Sequence, residues 1–525
     1  MKHHPFTKLA SILVVCLMTF SSASFADEAQ LMDMVKNMQK QMSDLQSTVA
    51  VQKAEIQALK AGGGGNIQAA PSGVEATPPM SEAEFNQRLS DSTGGANKWL
   101  KDLKFSGDLR LRYEAFHLSG NTQATGSEPN RNRFRIRLRY GFEKTFSPEV
   151  KVGFSMATGE KAATSATSMA NSDPISTNQT MTNNFDFKNI WVEKAYATYT
   201  PEWAKIGNAD GLSVSGLEIT GGKFNNPFEK GNTDMIWDRD LKPEGIYEKI
   251  DGQILKTDNI TLKTYGLLGQ FLLMETGNTA GGTAIAPTGG KDASLFAYQV
   301  GLNPVFYTPW LERPVDALTA LSVYNYNNYA TNNNWQIVGV SQANGNPTDA
   351  NGTRLSAQGF NILSIYQEVN FYPYGVPVKP FAEFAHNMSS QSGIGYVTGT
   401  TNGVSNQNYT MQGGADAWSL GLTLGKLQKK GDLQGSYQYK YIGANSVVGA
   451  FNDSDFGGYN YGGTDKAGSV IKLGYNLTDY LSLNGACYLV KPITQRGGPG
   501  TNAVINGMQP DQSVARFQLD MTYKF

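Results

Sequence analysis

The chain ends in the stretch Phe517-Gln518-Leu519-Asp520-Met521-Thr522-Tyr523-Lys524-Phe525. Apolar side chains occupy every second position of this stretch, and polar side chains occupy the positions between them. Because successive residues of a β-strand point to opposite faces, the pattern predicts a strand with one apolar and one polar face. Such a strand suits a barrel wall with lipid on one side and water on the other, whereas an amphipathic strand that closes a soluble sheet is the alternative.

The first 26 residues have the three parts of a secretory signal peptide. Lys2 and Lys8 precede an apolar run over residues 9–20, and cleavage is expected after Ala26 in the small-x-small pattern of residues 24–26. The apolar run is too short to span a bilayer as a helix. Its removal leaves Cys487 as the only cysteine, which excludes an internal disulfide framework. We therefore expect an exported chain that is held together without cross-links.

Residues 27–60, the first mature segment, follow a heptad pattern. Apolar side chains recur at alternating spacings of three and four, which predicts a coiled coil; a single amphipathic helix packed on a domain is the alternative. The β-branched residues at position a lean towards two strands, although Gln52 at position d weakens that preference. The seam consists of Val35, Met42, Val49 and Ile56 at a, and of Leu31, Met38, Leu45, Gln52 and Leu59 at d.

Residues 61–98 are predicted to be a linker. The glycines at residues 62–65 give it a flexible start, and Pro71, Pro78 and Pro79 stiffen its middle. Ser81 and Glu84 have the spacing of a capping box, which predicts a short helix inside the linker.

The composition limits the class of protein. The sequence contains 57 Gly, 25 Tyr and 25 Phe, and 17% of its residues are charged. No mature segment has the roughly 18 consecutive apolar residues of a transmembrane helix. The mean hydropathy of −0.36 nevertheless fits a transmembrane barrel, because only every second residue of such a strand is apolar. Lys and Arg number 44 against 45 Asp and Glu, so nothing indicates a nucleic-acid partner.

Residues 99–525 contain sixteen strand-like segments, which predicts an all-β, antiparallel transmembrane barrel. Short turns, such as residues 146–148, alternate with long loops rich in Asn, Gly, Thr and Ser, such as residues 444–466. This sorting is typical of an outer-membrane barrel whose two chain ends are periplasmic, and a soluble sandwich or propeller gives no reason for it. The predicted strands lie at about residues 103–117, 132–144, 148–159, 188–200, 212–224, 243–251, 259–270, 293–303, 315–326, 358–371, 377–389, 414–426, 432–443, 467–476, 480–491 and 513–525.

Arginines alternate with apolar residues in the first two predicted strands. An arginine on the lipid face near the bilayer midplane costs roughly 2–4 kcal/mol, so we expect the apolar residues to face lipid and the arginines to face the lumen. Asp108, Glu114 and Glu143 share the arginine face, and a network that only ties the wall together is the alternative to a transport role. The predicted pore-lining residues are Arg110, Arg112, Arg133, Arg135, Arg137 and Arg139.

Residues 225–242, after the fifth predicted strand, carry the opposite charge. If this segment folds into the lumen, its acids face the arginines across a narrow point, and the transverse field orients dipolar solutes and passes small ions. A solvated surface loop is the alternative. The candidate constriction residues are Glu229, Asp234, Asp238 and Asp240.

Several sequence blocks resemble the putative porins of Gram-negative bacteria. They are residues 99–113, the arginine strand at 132–143, and residues 172–180, 221–228 and 237–245. The resemblance covers the first third of the barrel and implies a passive outer-membrane channel, often a homotrimer, sometimes with an N-terminal periplasmic helical segment. It implies no established substrate.

The carboxyl-terminal Tyr523 and Phe525 resemble the terminal signal by which outer-membrane barrels are recognised for insertion. This resemblance implies two partners, the barrel-assembly machinery and the outer-membrane lipid. We expect the predicted coiled coil in the periplasm, where a cell-wall or periplasmic partner is a further expectation.

Competing functions have weaker support in the sequence. An outer-membrane hydrolase needs a nucleophile with a positioned base, but the mature chain has only His117 and His386 and no Ser, His and acid spacing stands out. We therefore predict no enzyme, no catalytic or metal site and no cofactor. An electron conduit would need a haem-attachment motif that the chain lacks, although a sleeve around a partner cytochrome stays open.

Two further functions remain as alternatives to a general porin. One is a selective porin for phosphate-like anions, because guanidinium groups bind phosphate well. The other is a tether from the outer membrane to the cell wall, with the barrel chiefly an anchor. We expect an outer-membrane porin that lets ions and small hydrophilic solutes diffuse passively through a water-filled barrel.

Overall fold

The computed structural model describes residues 102–119, 130–160, 173–182, 184–207, 211–274, 291–309, 312–330, 346, 359–389, 394–396, 408–410, 414–457, 463–493 and 513–525. The predicted signal peptide, coiled coil and linker lie outside the described residues. No helix among the described residues has the length and apolar character that a membrane crossing requires.

Sixteen antiparallel strands form one closed barrel, in which each strand pairs with its neighbours in sequence and the last pairs with the first. The strands are β1 (Leu103–Ser119), β2 (Asn130–Ser147), β3 (Val150–Thr158), β4 (Ile190–Tyr199), β5 (Ser213–Lys223), β6 (Glu244–Lys256), β7 (Ile260–Met274), β8 (Ala293–Phe306), β9 (Val315–Asn327), β10 (Phe360–Asn370), β11 (Val378–Asn387), β12 (Asp416–Gly425), β13 (Leu433–Ile442), β14 (Lys466–Asn476), β15 (Leu481–Pro492) and β16 (Ser513–Lys524).

Short elements accompany the barrel. The two-residue strand Gln179–Thr180 pairs with β2, and Ile394–Tyr396 pairs with Asn408–Thr410 between β11 and β12. Single turns of 3-10 helix occur at Glu202–Ala204, Glu229–Gly231 and Pro373–Gly375.

The barrel closes where β1 meets β16. Asp108 lies opposite Lys524 and Ser119 opposite Ser513. Gly107 and Phe525 extend the pairing by exchanging backbone hydrogen bonds of 2.9 and 3.1 Å. A Cβ atom at Gly107 would lie 2.6 Å from the Phe525 ring, so glycine lets the terminal aromatic residue pack over β1. The terminal stretch therefore seals the sheet and leaves no free edge.

Side-chain alternation in β16 confirms the prediction made from the last nine residues. Its apolar residues are exposed on the outer face of the barrel, where Leu519 is 56% accessible. The polar residues between them, including Gln518 and Asp520, are buried inside. Apolar residues of other strands, among them Phe134, Leu420 and Leu473, are exposed in the same way. The outside of the barrel is thus an apolar surface for lipid.

The predicted and observed strands differ mainly at β6 and β7. The sequence predicts an end for β6 near residue 251, just before Gly252, a residue that weakens strand interiors. Instead the strand runs to Lys256 and absorbs the irregularity as a shift of register against β7 between Gln253 and Leu255. A bulge keeps the ladder continuous beyond this glycine.

Candidate functional site

Three neighbouring strands, β1, β2 and β16, turn a charged face towards the barrel interior. Arg112, Glu114, Arg137 and Arg516 are buried there, whereas Phe134 on the opposite face of β2 is exposed. The period-two pattern of these strands requires this arrangement, because one face meets lipid. We call the inward-facing charged residues of these strands the arginine wall.

Arg112 lies at the centre of the arginine wall. It donates from Nε to Asp520 Oδ1 over 2.7 Å and from Nη2 to Asp520 Oδ2 over 2.8 Å, which makes a bidentate pair. Arg516 pairs with Glu114 and lies 2.6 Å from Asp455, a residue of the loop between β13 and β14. Asp455 is also 3.3 Å from Arg112. The charges of the wall are therefore neutralised in place, partly by a carboxylate from a loop.

The loop between β5 and β6, residues 224–243, folds into the barrel; we call it the first inner loop. Phe228 and Trp237 are buried, and their rings lie 5.7 and 5.3 Å from the ring of Tyr324 on β9. Trp237 Nε1 donates to the Tyr326 hydroxyl over 2.9 Å. A Cβ atom at Gly231 would lie 2.6 Å from that of Ala320, so glycine lets the loop approach the barrel wall closely.

The first inner loop crosses the lumen and reaches the arginine wall. Arg137 and Arg139 share the Asp108 carboxylate, each at 2.7 Å. Asp240 of the loop lies 3.9 Å from Arg137 and 3.5 Å from Arg139. On the other side, Glu383 of β11 accepts a 2.8 Å hydrogen bond from the loop backbone at Thr233. The loop is thus held at both walls of the barrel.

Arg133 and Arg135 are covered by other parts of the protein. Arg133 pairs with Glu114, and Arg135 lies 3.5 Å from Glu160. Arg135 also donates to the Asn178 carbonyl over 3.2 Å, because Gln179–Thr180 pairs with β2 beyond the end of β3. Arg135 therefore lies against residues 178–180, and Arg133 lies against Glu114.

A second loop, residues 443–457 between β13 and β14, also folds inward; we call it the second inner loop. Val447 and Phe451 are buried in the apolar cluster that contains Phe228 and Trp237. The two inner loops bond directly, since the Asp238 N–H donates to the Phe451 carbonyl over 2.7 Å and the Asp453 N–H to the Asp234 carbonyl over 3.0 Å. The sequence predicted only a long loop here, although its apolar residues among Gly, Asn and Ser were a visible signal.

Lys440 joins both inner loops to the barrel. This β13 side chain has no solvent exposure and lies 2.6 Å from Asp234 of the first loop and 2.6 Å from Asp453 of the second. Its ammonium also lies 5.0 Å from the centre of the Phe456 ring. A buried cation between two carboxylates holds them together, and removal of one partner from such a group is strongly destabilising.

The pKa values of the loop carboxyls are shifted in different directions. Burial favours the neutral form of Asp234, but the opposing charges of Lys440 and then Lys472 bring its pKa below the ordinary value. Burial acts on Asp455 in the same way, and Arg516 and Arg112 lower its pKa well below the ordinary value. Burial, then Asp240 and Asp453, raise the pKa of Asp238 well above its ordinary value. Asp234 and Asp455 therefore anchor the inner loops through their cations, whereas Asp238 is repelled by neighbouring carboxylates.

A cavity of about 1090 Å³ lies between the arginine wall and the inner loops. Its lining extends from Lys524 and Leu427, near the short-turn end of the barrel, to Asp453 and Asp455 of the second inner loop. The cavity brings together eight of the ten predicted charged residues, namely Arg110, Arg112, Arg137, Arg139, Glu229, Asp234, Asp238 and Asp240.

The remaining predicted residues lie elsewhere. Arg133 and Arg135 do not line the cavity; Arg133 pairs with Glu114, and Arg135 donates to the Asn178 carbonyl. Tyr523 and Phe525 are exposed on the outer face. Sequence reasoning did not single out the structurally important Lys440, Asp453, Asp455, Arg516 and Asp520. Arg516 and Asp520 had a readable signal in the alternation of β16, whereas Asp453 and Asp455 lie in a loop without periodicity.

The described residues contain no group of three or more His, Cys, Asp and Glu side chains that could hold a metal ion. His117 contacts the Asn130 side chain at 3.1 Å, and His386 contacts Asp416 at 2.7 Å. The charged side chains of the cavity interact through ion pairs and hydrogen bonds.

Comparisons with known proteins give one family match and several similar solved structures. The model of the family described as "Putative porin" matches residues 123–383 and 357–525. No curated protein matches the sequence. Among solved structures, the chain is similar to Pseudomonas putida OprB, with 10% identity, coverage of 83% of this chain and 97% of that chain, and a TM-score of 0.42.

Two other solved structures are similar over a comparable length. Salmonella typhi OmpF in complex with daunomycin shares 9% identity, with 81% of this chain and 97% of that chain covered and a TM-score of 0.39. An anion-selective porin from Comamonas acidovorans shares 11% identity, with 81% and 99% covered and a TM-score of 0.35. At these values the likeness assigns no role to any residue.

Proposed function

Because the chain belongs to the putative porin family and is an outer-membrane porin, we propose that solutes cross it through the cavity between the arginine wall and the inner loops. The observation that carries the proposal is the lining of this cavity, which contains charged side chains from both the barrel and the first inner loop. A route with such walls admits hydrated ions and small hydrophilic solutes by passive diffusion. A channel, rather than an enzyme, accords with the family.

The inner loops define the size of the proposed route. The apolar cluster around Phe228, Trp237 and Phe451 occupies the side of the lumen near β9 and β10. Water is expelled from a packed apolar cluster, so diffusion is confined to the charged side. We propose that Arg110, Arg112, Arg137 and Arg139 line the channel, with Glu229, Asp234, Asp238 and Asp240 across from them.

The proposal extends to the assembly of the protein. We propose a homotrimer inserted by the barrel-assembly machinery through Tyr523 and Phe525, as the family resemblance implies. The apolar outer face of β16 supports its contact with outer-membrane lipid. The heptad pattern at residues 27–60 supports a periplasmic coiled coil after removal of residues 1–26. Cross-linking and mass measurement in detergent test the trimer, and a monomer would contradict it.

Cysteine accessibility tests the route itself. In a background with Cys487→Ala, Ser436→Cys places a thiol in the cavity lining, because Ser436 is one of its lining residues. A bulky, charged thiosulfonate reagent should reduce the current through single channels of this variant in a planar bilayer. A channel whose conductance is unaffected after complete modification would place the route elsewhere.

The matched control is Ser469→Cys in the same background. Ser469 lies opposite Tyr439 in the pairing of β13 with β14, and its hydroxyl is 3.1 Å from the hydroxyl of Tyr437 on the outer face. The two substitutions are chemically identical and lie on adjacent strands, three residues apart in the register and on opposite faces of the barrel. Modification of Ser469→Cys should leave the conductance unchanged.

Preference for anions is a second candidate property of the same channel. Ten basic and eight acidic residues line the cavity, which leaves an excess of positive charge. The reversal potential in asymmetric salt measures this preference, and a cation-selective wild-type channel would contradict it.

A further inference from the structure

The acids of the cavity are already occupied by donors from the protein. Asp520 and Asp455 pair with Arg112, and Asp240 with Arg139. Lys440 holds Asp234 and Asp453 at 2.6 Å each. The other three acids are Glu229 at 4.0 Å from Arg239, Glu368 at 3.3 Å from Lys379, and Asp238, which accepts hydrogen bonds from the backbone N–H groups of Asp240 and Ser454.

Three of the four cavity arginines on the barrel strands are compensated to the same degree. Arg110 is the exception, because its nearest carboxylate, that of Asp520, is already held by Arg112. Arg112 and Arg137 each have a carboxylate at 2.7 Å, and so has Arg139. Arg110 lies 3.8 Å from Asp520 and donates to the Asn178 side chain. A charge paired at contact distance projects a dipole, whose field falls off faster with distance than that of a single charge. These arginines fix the wall and the loops more than they set the potential of the channel.

Lysines supply the positive charge of the cavity that carboxylates do not neutralise. Lys524 and Lys230 line the cavity and form no ion pair with any carboxylate among the residues that the structure describes. Lys472 is 3.9 Å from Asp234, whose carboxylate is already held by Lys440 at 2.6 Å. Its side chain is 40% exposed, against 5% for Arg112.

The register of the strands places two of these lysines at different depths. Lys524 lies opposite Asp108, close to the short-turn end of the barrel. Lys472 lies opposite Ala486, which lies opposite Gln518 of β16, so it is deeper and near the arginine wall. A solute that enters from the short-turn end therefore meets Lys524 first and Lys472 next, on rigid strands in both cases.

We propose that Lys472 and Lys524, and not the arginine wall, determine the charge selectivity of this channel, and that they favour small anions such as chloride and carboxylates. The inference rests on the proposed route through the cavity. An ammonium group is a compact, hydrated charge with rotatable donors, so it attracts an anion without holding it in a fixed bidentate geometry. Weak attraction at successive depths permits entry and release, which conduction requires.

Reversal potentials of single channels in a potassium chloride gradient test the proposal. Wild-type protein should be anion-selective. The double variant Lys472→Gln/Lys524→Gln should lose most of that selectivity, and Lys472→Glu/Lys524→Glu should reverse it to cation preference. The Debye length is about 30 Å at 0.01 M salt and about 10 Å at 0.1 M, so the differences should grow as the salt is diluted.

Two control variants change the total charge by the same amount. Lys429→Gln/Lys430→Gln alters exposed lysines in the turn between β12 and β13, which are not part of the cavity lining, and should leave the reversal potential unchanged. Arg137→Gln/Arg139→Gln removes two paired arginines of the wall. The proposal expects this change to shift the reversal potential less than the neutral lysine variant does.

The outcomes separate the proposal from the function on which it rests. Wild-type protein that forms no channel, or a Ser436→Cys channel that modification does not affect, refutes the route. A conducting channel whose selectivity is unaffected by Lys472→Glu/Lys524→Glu overturns the lysine proposal and leaves the porin function intact. A larger shift in the arginine variant, or a cation-selective wild type, overturns it too. Stepwise currents from each variant show that the barrel has folded.

Discussion

The two sides of the barrel interior are filled in different ways. Near β9 and β10 the inner loops pack Phe228, Trp237 and Phe451 against Tyr324 and Tyr326 in a continuous apolar cluster. Near β1, β2 and β16 the interior consists of Arg, Asp and Glu side chains in ion pairs, beside a cavity of about 1090 Å³. One side therefore resembles the core of a soluble domain, and the other is a network of buried ion pairs that borders the cavity.

This contrast explains why the barrel keeps an off-centre opening. Apolar side chains attract each other in water and close the space between loop and wall. Charged side chains lose hydration when they are packed together, so a wall of them tolerates adjacent water better than complete burial. The position of the opening is then decided by where the apolar residues of the inner loops find partners. Changes on the apolar side should alter the size of the channel, and changes on the charged side should alter its selectivity or the anchoring of the loops.

Lys440→Met should have the largest effect, because it removes the cation that joins both inner loops to the barrel. Asp453 would lose its ion pair and Asp234 would keep only Lys472, at 3.9 Å, and breaking a buried pair in this way costs about 3–5 kcal/mol. We expect the inner loops to leave the lumen and single-channel conductance to rise. Restoring neutrality with Lys440→Met/Asp234→Asn/Asp453→Asn should recover part of the smaller wild-type conductance. A variant with unchanged conductance would show that the loops are held by apolar packing alone.

Phe228→Ala should have the next largest effect. The ring of Phe228 contacts those of Trp237, Phe271 and Tyr324, and truncation of a buried aromatic side chain costs about 3–5 kcal/mol. We expect a larger and noisier single-channel conductance, because the first inner loop loses its main apolar contact. The loop should stay attached to the barrel, since Asp234 and Asp240 keep their ion pairs. The lipid-facing Phe517→Ala is the control and should conduct like wild type. Equal conductance in the wild type and both variants would contradict the proposal that the apolar cluster limits the conductance of the channel.

Asp455→Asn should have a smaller effect, confined to the second inner loop. The substitution weakens the contacts with Arg516 and Arg112, but each arginine keeps another carboxylate, Glu114 and Asp520 respectively. We expect modest current fluctuations with little change in mean conductance. Measured noise as low as that of wild type would indicate that the Asp453 pair with Lys440 holds this loop alone.

The sequence predicted the barrel well because its evidence is local and periodic. Lipid on one side imposes a two-residue alternation on every strand, and each of the sixteen predicted segments overlaps an observed strand. The prediction that residues 225–242 fold inward could not be decided from charge alone. It depends on partners such as Tyr324 and Glu383, which lie far away in sequence.

The second inner loop shows the limit of sequence reasoning more clearly. Residues 443–457 have no period, and their burial follows from contacts with Lys440 and with the first inner loop. In the arginine wall, alternation predicted which side chains face inward, but it could not predict that Arg133 is engaged by Glu114 and Arg135 by Asn178. The local sequence pattern determines on which face of a strand a side chain lies. Contacts between residues distant in sequence determine whether that side chain is exposed to water.

Acidification should have the smallest effect on the channel, because protonation of the different loop carboxyls changes the stability of the inner loops in opposite directions. Asp234 and Asp455 have pKa values below the ordinary one, so their anchoring is present above the unfolded-state pKa of about 4 and is lost as the pH falls through the lower folded-state values. Asp238 has a raised pKa, so its contribution is present at low pH and is lost as the pH rises from about 4 through the folded-state value. As the pH falls, protonation of Asp238 should therefore relieve repulsion at a higher pH than the protonation that weakens either anchor. We expect single-channel noise to fall slightly and then to rise only at strongly acidic pH. Asp238→Asn should abolish the first change and retain the second, and a steady rise in noise from neutral pH downward would show that the anchors titrate normally.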